Sequence, residues 1–330
     1  MIEAELQYAI AHADLGALVR RFGGVLSPVV FDTGCELLTL PWLEGVLAYR
    51  RSLGGVAVVI GDPICAPHDQ ARLLDEARAR FDTVVVAGAS RAIVSAAHAL
   101  GFAVIEFGEQ IWIDPRRERP RGRRGHELKR KLNHARSAGI AVREYAGARD
   151  PWLEAELERV ARAWLAARKG LQVFVAHVDL FHPRGLRRWF FATEHERVVG
   201  VQSLVRLDGG GGYLLEHLLT EPDVPAGTTE SLVIGALDAV GREGCRFVSF
   251  GLSTAAALGL VSGLSPGSIR LGRWFFDQAQ KRFHLDSVSR FRRKFGECVS
   301  EPSYLLFNPP RVGPLQLLAL MRAFNASLAR

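Results

Sequence analysis

Cysteine is scarce in this chain. Four residues in 330, Cys35, Cys65, Cys245 and Cys298, are scattered with no C-x-x-C pair. That spacing argues against a zinc site or a disulfide framework and fits a reducing compartment. No run of roughly eighteen or more apolar residues occurs; in the best candidate, Thr83 to Ile105, Arg91 and His98 interrupt the pattern. The opening residues Met1 to Glu5 are acidic and lead into no apolar core of signal-peptide type. Low-complexity segments are missing too. A transmembrane protein and a disulfide-stapled secreted domain are thereby excluded, leaving the expectation of a cytoplasmic chain, peripheral at the inner membrane face if it meets a membrane at all.

What is present is a folded, basic protein. Apolar residues make up 48% and charged residues 23%, the balance of a globular chain, and the net charge is +7. The excess is clustered in Arg116 to Arg136 and again in Arg290 to Lys294. Acidic partners are few in the first block, so it reads as a footprint for phosphate, in nucleic acid or at an anionic membrane surface. The length favours two domains, divided near Tyr145 to Asp150 into residues 1–147 and 148–330.

The first half opens with an amphipathic helix from Glu3 to Phe22, then strands at Leu26–Phe31, Glu36–Trp42 and Gly45–Arg50. Val56–Ile60 is a continuous β-branched run that reads as a buried strand, ending in a Gly61-Asp62-Pro63 turn. Helix His68–Arg80, strand Thr83–Ala87, helix Ser90–Leu100, strand Ala103–Phe107 and a short strand Ile111–Ile113 follow, an α/β pattern. A basic helix from about Gly125 to Ala138 carries Lys129, Arg130, Lys131, His134 and Arg136, with Leu128, Leu132 and Ala135 on its other side.

In the second half, helix Pro151–Arg168 places Trp152, Leu157, Val160 and Trp164 at apolar positions. A short helix Arg184–Trp189 leads to hairpin strands Phe190–Glu194 and Arg197–Arg206, turning at His195-Glu196. Strand Gly212–Leu219, the loop Glu221–Gly227, helix Thr228 to about Gly241 and strand Arg246–Leu252 form the unit around which the rest is organised. A strand feeding a helix N-terminus suggests a pocket of backbone N–H groups for an anionic or carbonyl oxygen, and Glu216 and Glu230 stand close to it in sequence. The plainer alternative is that Glu230 only favours the helix dipole and Glu216 faces solvent. An aromatic helix around Trp274 to Phe276, a strand Tyr304–Phe307 and an apolar helix Pro314–Leu328, packed on the second domain or dipping into a membrane interface, complete the chain. His177, His182 and His217 lack metal-ligand spacing and read as structural or substrate-lining.

The hairpin strands followed by the strand–loop–helix–strand unit resemble GNAT-type N-acetyltransferases, although the loop lacks that family's Arg/Gln-x-x-Gly-x-Gly/Ala phosphate cradle. More specific pieces run in order from Tyr49 to Phe307: Tyr49-Arg-Arg, the VVIGDP run at Val58 to Pro63, Gly108-Glu109, and KRKLN at Lys129 to Asn133 closing at Gly139. Trp164, PDVPAGT at Pro222 to Thr228, Phe250-Gly-Leu252 and FRRKF at Phe291 to Phe295 continue the series. Together they resemble the C-terminal domain of the bacterial phosphatidylglycerol lysyltransferases, the multiple peptide resistance factor family. The resemblance implies an α/β (α+β) fold of two tandem acetyltransferase-like domains, with mixed central sheets flanked by helices. It also implies transfer of an amino acid from aminoacyl-tRNA to a lipid hydroxyl. The chain departs from the family's Asp-Leu-Met-Arg run: Glu216-His-Leu-Leu219 keeps the acid in longer form and replaces the arginine with Leu219. The family's large transmembrane region is not in this sequence.

With an activated ester as donor, positioning the acceptor and stabilising the oxyanion would be the main tasks, and no cofactor or metal is required. Glu216 is the expected base, Lys294 the expected stabiliser of the oxyanion or ribose leaving group, and the two are expected to face one cleft. Glu230 would order the pocket or hold the substrate's amino group, with Asp277 a second candidate for that. Arg293 is assigned to phosphate, and His217 and Trp164 to the substrate. Arg123, Arg124, Lys129, Arg130, Lys131 and Arg136 would meet the tRNA acceptor stem through its phosphates. Other acceptors and donors stay open: a soluble hydroxylamine or amine as acceptor, or acyl-coenzyme A as donor. A non-catalytic tRNA- or membrane-binding module is a further alternative.

Overall fold

The computed structural model describes residues 15–117, 120–168, 177–207, 209, 211–255, 257–283 and 285–324. Helix α1 spans 15–22; the expected start of that helix at Glu3, and the end of the last helix beyond Phe324, lie outside the described residues. The first half continues with β1 (Glu36–Leu40), β2 (Leu43–Arg51), β3 (Val56–Ile60), β4 (Ile64–Cys65), α2 (Gln70–Arg80), β5 (Thr83–Ala89), α3 (Arg91–Ala99) and β6 (Ala103–Ile113). Then come α4 (Gly122–Ser137), β7 (Ile140–Tyr145), α5 (Pro151–Ala167), β8 (Arg187–Glu194), β9 (Arg197–Leu207), β10 (Gly212–Thr220), α6 (Thr228–Arg242) and β11 (Phe247–Thr254). The last elements are β12 (Val261–Ser262), α7 (Pro266–Phe283), α8 (Leu285–Arg292), β13 (Cys298–Asn308) and α9 (Pro314–Ala323).

Thirteen strands form one mixed sheet in the order β1-β2-β3-β5-β13-β6-β11-β10-β9-β8-β7, with β4 on β2 and β12 on β6. Two pairs are parallel, β3 with β5 and β10 with β11, and each is bridged by a helix, α2–to–β5 and α6–to–β11. The remaining pairs are antiparallel. This is the mixed α/β architecture, a mixed sheet flanked by helices, anticipated from the sequence. Chain order and sheet order part at two places. Strand β13, late in the chain, inserts between β5 and β6, and β6 neighbours β11 rather than β7, so that β7 ends up at the far edge.

Burial explains the layers. The residues Val56–Ile60 and Thr83–Ala89 are covered on both faces, as a β-branched central strand demands. Helices α2 and α3 close one face through Leu74, Ala77, Ile93 and Ala97. Helix α9 closes the other through Leu317 and Leu320. In the second half, Leu232, Val233, Ala236 and Leu237 of α6 and Leu128 and Ala135 of α4 pack on Phe190, Leu204, Val248 and Phe250. Each fully buried leucine, isoleucine or valine among them contributes about 1.5–3 kcal/mol over its exposed state.

Several sequence expectations need correction. Residues 26–31 are not a strand: Ser27–Phe31 is a 3₁₀ helix, because Pro28 removes a ladder donor and fits the first turn of a helix. Arg184–Trp189 is not a helix either; only Arg184–Leu186 turns, and Arg187 already starts β8. The two expected strands Ala103–Phe107 and Ile111–Ile113 are one eleven-residue strand, and the last strand begins at Cys298 rather than Tyr304.

Candidate active site

Strand β10 carries the expected base. Its ladder with β9 pairs Leu215 with Leu204 and His217 with Ser203, so Glu216 is the extra residue of a β-bulge. A bulge re-aims a side chain that regular alternation would have placed elsewhere. Beyond Leu214 the pairing of β10 with β11 also ends. The opening beside these strands is a cavity of about 580 Å³. Its walls come from β10 (Glu216, His217), β11 (Ser253, Thr254), α5 (Trp164, Arg168), α7 (Phe275, Phe276), α8 (Phe291, Arg292) and α9. Most of the lining is apolar, which suits a hydrocarbon-bearing ligand held by a few polar groups.

Glu216 is only 11% exposed, and its Oε2 lies 2.8 Å from Nη2 of Arg187, itself 4% exposed. Arg187 also donates to the carbonyl of Asp179. The arginine that the family run places three residues after the acid is Leu219 here, buried in the α5 cluster, and the guanidinium facing the acid comes instead from β8. Burial pushes the His217 imidazole below its ordinary pKa, and its Nε2 stands 3.5 Å from Glu216 Oε2. Glu216 Oε2, His217 Nε2, Ser253 Oγ and Thr254 Oγ1 are enclosed and have no hydrogen-bond partner among the described residues. The contact with Arg187 is therefore an ion pair without aligned hydrogen-bond geometry. These atoms leave acceptor and donor capacity beside the cavity.

The other two expected catalytic groups sit elsewhere. Glu230, in the first turn of α6, is 6% exposed, and its Oε1 receives Lys131 Nζ at 2.7 Å and approaches Lys294 Nζ at 3.5 Å. The hydrogen bond to Glu230 raises the Lys131 pKa, outweighing the opposing effect of burial. Helix α4 presses directly on the α6 N-terminus: a Cβ at Gly227, whose φ is 95°, would stand 2.2 Å from the Lys131 carbonyl. Only glycine fits there, and the turn expected to be an open N–H pocket is covered by α4. The lining of the cavity includes Glu216 but neither Glu230 nor Lys294. The single cleft joining Glu216 to Lys294 is thus corrected to two adjacent sites. Phe291 links them, lining the cavity with its ring 5.2 Å from Lys294 Nζ.

The remaining expected residues divide. Trp164 lines the cavity, with the Arg168 guanidinium 3.6 Å over its ring. Arg293 is held by Glu109 at 2.6 and 2.8 Å. Burial alone would raise the Glu109 carboxyl, but hydrogen bonds from Arg293, Ser300 and Ser289 bring it below its ordinary value. Asp277 is exposed on α7 and is not part of the cavity wall. Arg123, Arg124, Lys129, Arg130 and Arg136 are exposed along α4, whereas Lys131 turns inward to Glu230. The Asp62 carboxylate accepts from the Ser90 N–H at 2.8 Å, a bond to the start of α3 rather than to its own turn. Sequence reasoning missed Arg187, Arg168 and Arg292. Arg187 was hidden in an expected helix, and Arg292 in a basic run whose neighbours face different partners.

No group of three or more His, Cys, Asp or Glu side chains suited to a metal occurs among the described residues. No described helix is long and apolar enough to cross a membrane.

Comparison with known proteins bears on these sites. No curated protein sequence matches the chain. Among solved structures, L-PGS from Bacillus licheniformis aligns over 95% of this chain and 96% of its own, with TM-score 0.76 and 16% identity. The C-terminal domain of a putative lysylphosphatidylglycerol synthetase from Agrobacterium fabrum aligns over 94% and 95%, with TM-score 0.74 and 17% identity. A conserved protein of unknown function from Bacteroides thetaiotaomicron aligns over 89% and 96%, with TM-score 0.53 and 9% identity. At these identities the likeness shows a shared fold. The sequence itself matches the model of the phosphatidylglycerol lysyltransferase C-terminal family across residues 39–307, and the chain belongs to that family of transferases.

Proposed function

We propose that this chain is an aminoacyltransferase that moves an amino acid from aminoacyl-tRNA to a hydroxyl of a lipid of the phosphatidylglycerol type. The observation that carries the reading is the cavity of about 580 Å³, apolar for most of its lining, with Glu216, backed by Arg187, and His217 at its wall. Acyl chains suit the apolar walls, and the acceptor hydroxyl comes to Glu216.

Glu216 takes the proton as the acceptor oxygen attacks the ester carbonyl. Collapse of the tetrahedral intermediate breaks the bond to the tRNA ribose, and the same proton goes to the departing ribose oxygen. The products are an aminoacyl ester of the acceptor and uncharged tRNA. His217, kept neutral by burial 3.5 Å away, can hydrogen-bond to the acceptor or share the proton without adding a competing charge. The donor side belongs to the neighbouring cluster. Lys131 and Lys294, gathered on Glu230, offer cations to the ribose and terminal phosphate, and the exposed Arg123, Arg124, Lys129, Arg130 and Arg136 continue that positive track along α4. The packing of α4 on the α6 N-terminus disfavours acyl-coenzyme A as donor, because the turn that would cradle its pyrophosphate is occupied by the Lys131 backbone.

The test is incubation of the purified chain with a mixture of charged tRNAs and phosphatidylglycerol vesicles, followed by mass spectrometry of the extracted lipid. An aminoacyl-lipid that depends on charged tRNA is expected. Its absence with every charged tRNA, together with product formation in a parallel reaction with soluble amines, would move the acceptor to the small-molecule class.

A further inference from the structure

A second cavity, of about 270 Å³, lies between the end of β2 and the C-terminal turn of α9, and no step of the transfer uses it. Its walls are charged where those of the active cavity are apolar: Glu36, Arg50, Arg51 and Ser52 on one side, Arg322 and Ala323 on the other. Arg50 is buried and spent on the frame. Its Nε donates to Cys35 Sγ at 3.3 Å, its Nη2 lies 3.4 Å from Asp32 Oδ1, and its Nη1 donates to the Ala323 carbonyl. Arg51 reaches Glu36, with 3.0 Å from Nε to Oε2. The Arg322 side chain is exposed and has neither a hydrogen bond nor an ion pair among the described residues.

Three arginines therefore meet two carboxylates, Glu36 in the wall and Asp32 behind Arg50, and the charge of Arg322 is left unmatched. Ser52 Oγ is enclosed and has no hydrogen-bond partner among the described residues, although a buried hydroxyl ordinarily finds one. Together these groups form a donor set for an oxyanion: a guanidinium fork meets two oxygens side by side, and a hydroxyl donates to a third. The carbonyl end of a helix repels anions. Here Arg50 covers the Ala323 carbonyl and relieves that repulsion. The volume of about 270 Å³ falls below the roughly 300–1,000 Å³ of sites for drug-sized molecules, so the ligand is small, a phosphate with at most a short polar group.

We propose that this cavity binds a phosphate group through Arg322, Arg51 and the Ser52 hydroxyl, and that its occupation holds the last turn of α9. That helix separates the two cavities. Leu317, Leu320, Met321 and Phe324 line the active one, while Ala319, Arg322 and Ala323 line this one. A ligand on Arg322 thus fixes a turn whose other face is a wall of the active cavity. The phosphate has two sources to draw on, a small ester in solution or a headgroup at a bilayer surface, since Leu315 and Leu318 are exposed on the same helix. Neither source presumes the donor or acceptor of the transfer reaction.

The experiment measures binding to the full chain at fixed ionic strength, by calorimetry with inorganic phosphate and glycerol 3-phosphate and by flotation with phosphatidylglycerol and phosphatidylcholine vesicles. Hydrogen exchange of the α9 amides is followed with and without each probe. Arg322→Ala, whose side chain has no partner to lose, should fold as wild type and weaken binding about 10- to 100-fold, the range of a hydrogen-bonded charge contact. Ser52→Ala should weaken it about 2- to 10-fold, the range of a neutral hydrogen bond. Arg311→Ala removes an exposed arginine outside both cavities and should change nothing. Exchange at Met321 to Phe324 should slow when the site is filled. Arg322-dependent binding of either soluble probe upholds the site with its ligand in solution; the same dependence with phosphatidylglycerol vesicles alone upholds it with a headgroup. No Arg322-dependent binding of any probe would overturn the proposal, as would an equal loss in Arg311→Ala, the mark of diffuse surface charge. Binding without slower exchange in α9 would overturn the link between the cavities. None of these readouts involves transfer, so failure here leaves the aminoacyltransferase reading untouched.

Discussion

The Arg187 guanidinium stands 2.8 Å from the Glu216 carboxylate across the width of β9, and both side chains are almost fully enclosed. The bulge at Glu216 makes this meeting possible, and it supplies by a different strand the cation that the family run carries beside its acid. Removing one partner of such a pair strands the other charge in a poor solvent. Arg187→Met is therefore expected to destabilise the protein by about 3–5 kcal/mol. Urea unfolding at neutral pH measures this; a loss below about 1 kcal/mol would show that water or another group satisfies Glu216.

The cluster on Glu230 calls for a different outcome. Its two lysines are about one-third exposed, 30% and 34%, so solvent relieves part of the cost when the carboxylate is removed. Glu230→Ala should lower stability by about 1–3 kcal/mol, and Lys294→Met by less. Transfer should respond in the opposite order of selectivity: Lys294→Met raises the tRNA KM and lowers the rate, with the lipid KM unchanged. A change confined to the lipid KM would place Lys294 on the acceptor side.

Binding of tRNA should separate the residues of α4. Reversing Lys129 and Arg130 to glutamate is expected to weaken binding and flatten its dependence on salt by roughly one phosphate contact each. Reversal at Lys131 perturbs the Glu230 cluster first, so melting temperature should fall along with affinity. Titrations at several ionic strengths read both effects, and unchanged salt slopes for the Lys129 and Arg130 variants would move the tRNA track off this helix.

His217 makes stability depend on pH. Its folded pKa is depressed, so between that value and the ordinary 6.5 the unfolded chain binds a proton that the folded protein does not. Stability is then fully present above about 6.5 and declines as pH falls through the depressed value, by at most about 1.4 kcal/mol per pH unit. Denaturant unfolding from pH 7.5 to 5 should show the decline, and His217→Asn should remove this share of it. An identical slope in the variant would mean that other groups cause it.

How much of this was legible in the sequence follows from the range of each signal. The parallel crossovers were readable, because β3, β5, β10, α6 and β11 carry continuous or periodic apolar runs within one short window. Glu216, His217 and Trp164 were identified as site residues from the same local pattern and the family likeness, and the structure brings all three to one cavity. Contacts across the chain were not readable. Nothing local tells that Lys131 leaves the exposed row of α4 for Glu230, 99 residues later, or that Arg293 is claimed by Glu109, 184 residues earlier. Three consecutive basic residues, Arg292, Arg293 and Lys294, look alike in sequence, yet one faces the cavity, one an acid on β6 and one the α6 N-terminus. The end of α8 turns them apart.

The most direct test of the central claim is the single-turnover rate of Glu216→Gln, which keeps the side-chain shape and loses the base, measured with saturating aminoacyl-tRNA and phosphatidylglycerol. A fall of about 10²- to 10⁴-fold is expected at a temperature where the variant is fully folded, with tRNA affinity close to wild type and a melting temperature lowered because Arg187 loses its partner. A variant that transfers at the wild-type rate would contradict the role of Glu216 as the base.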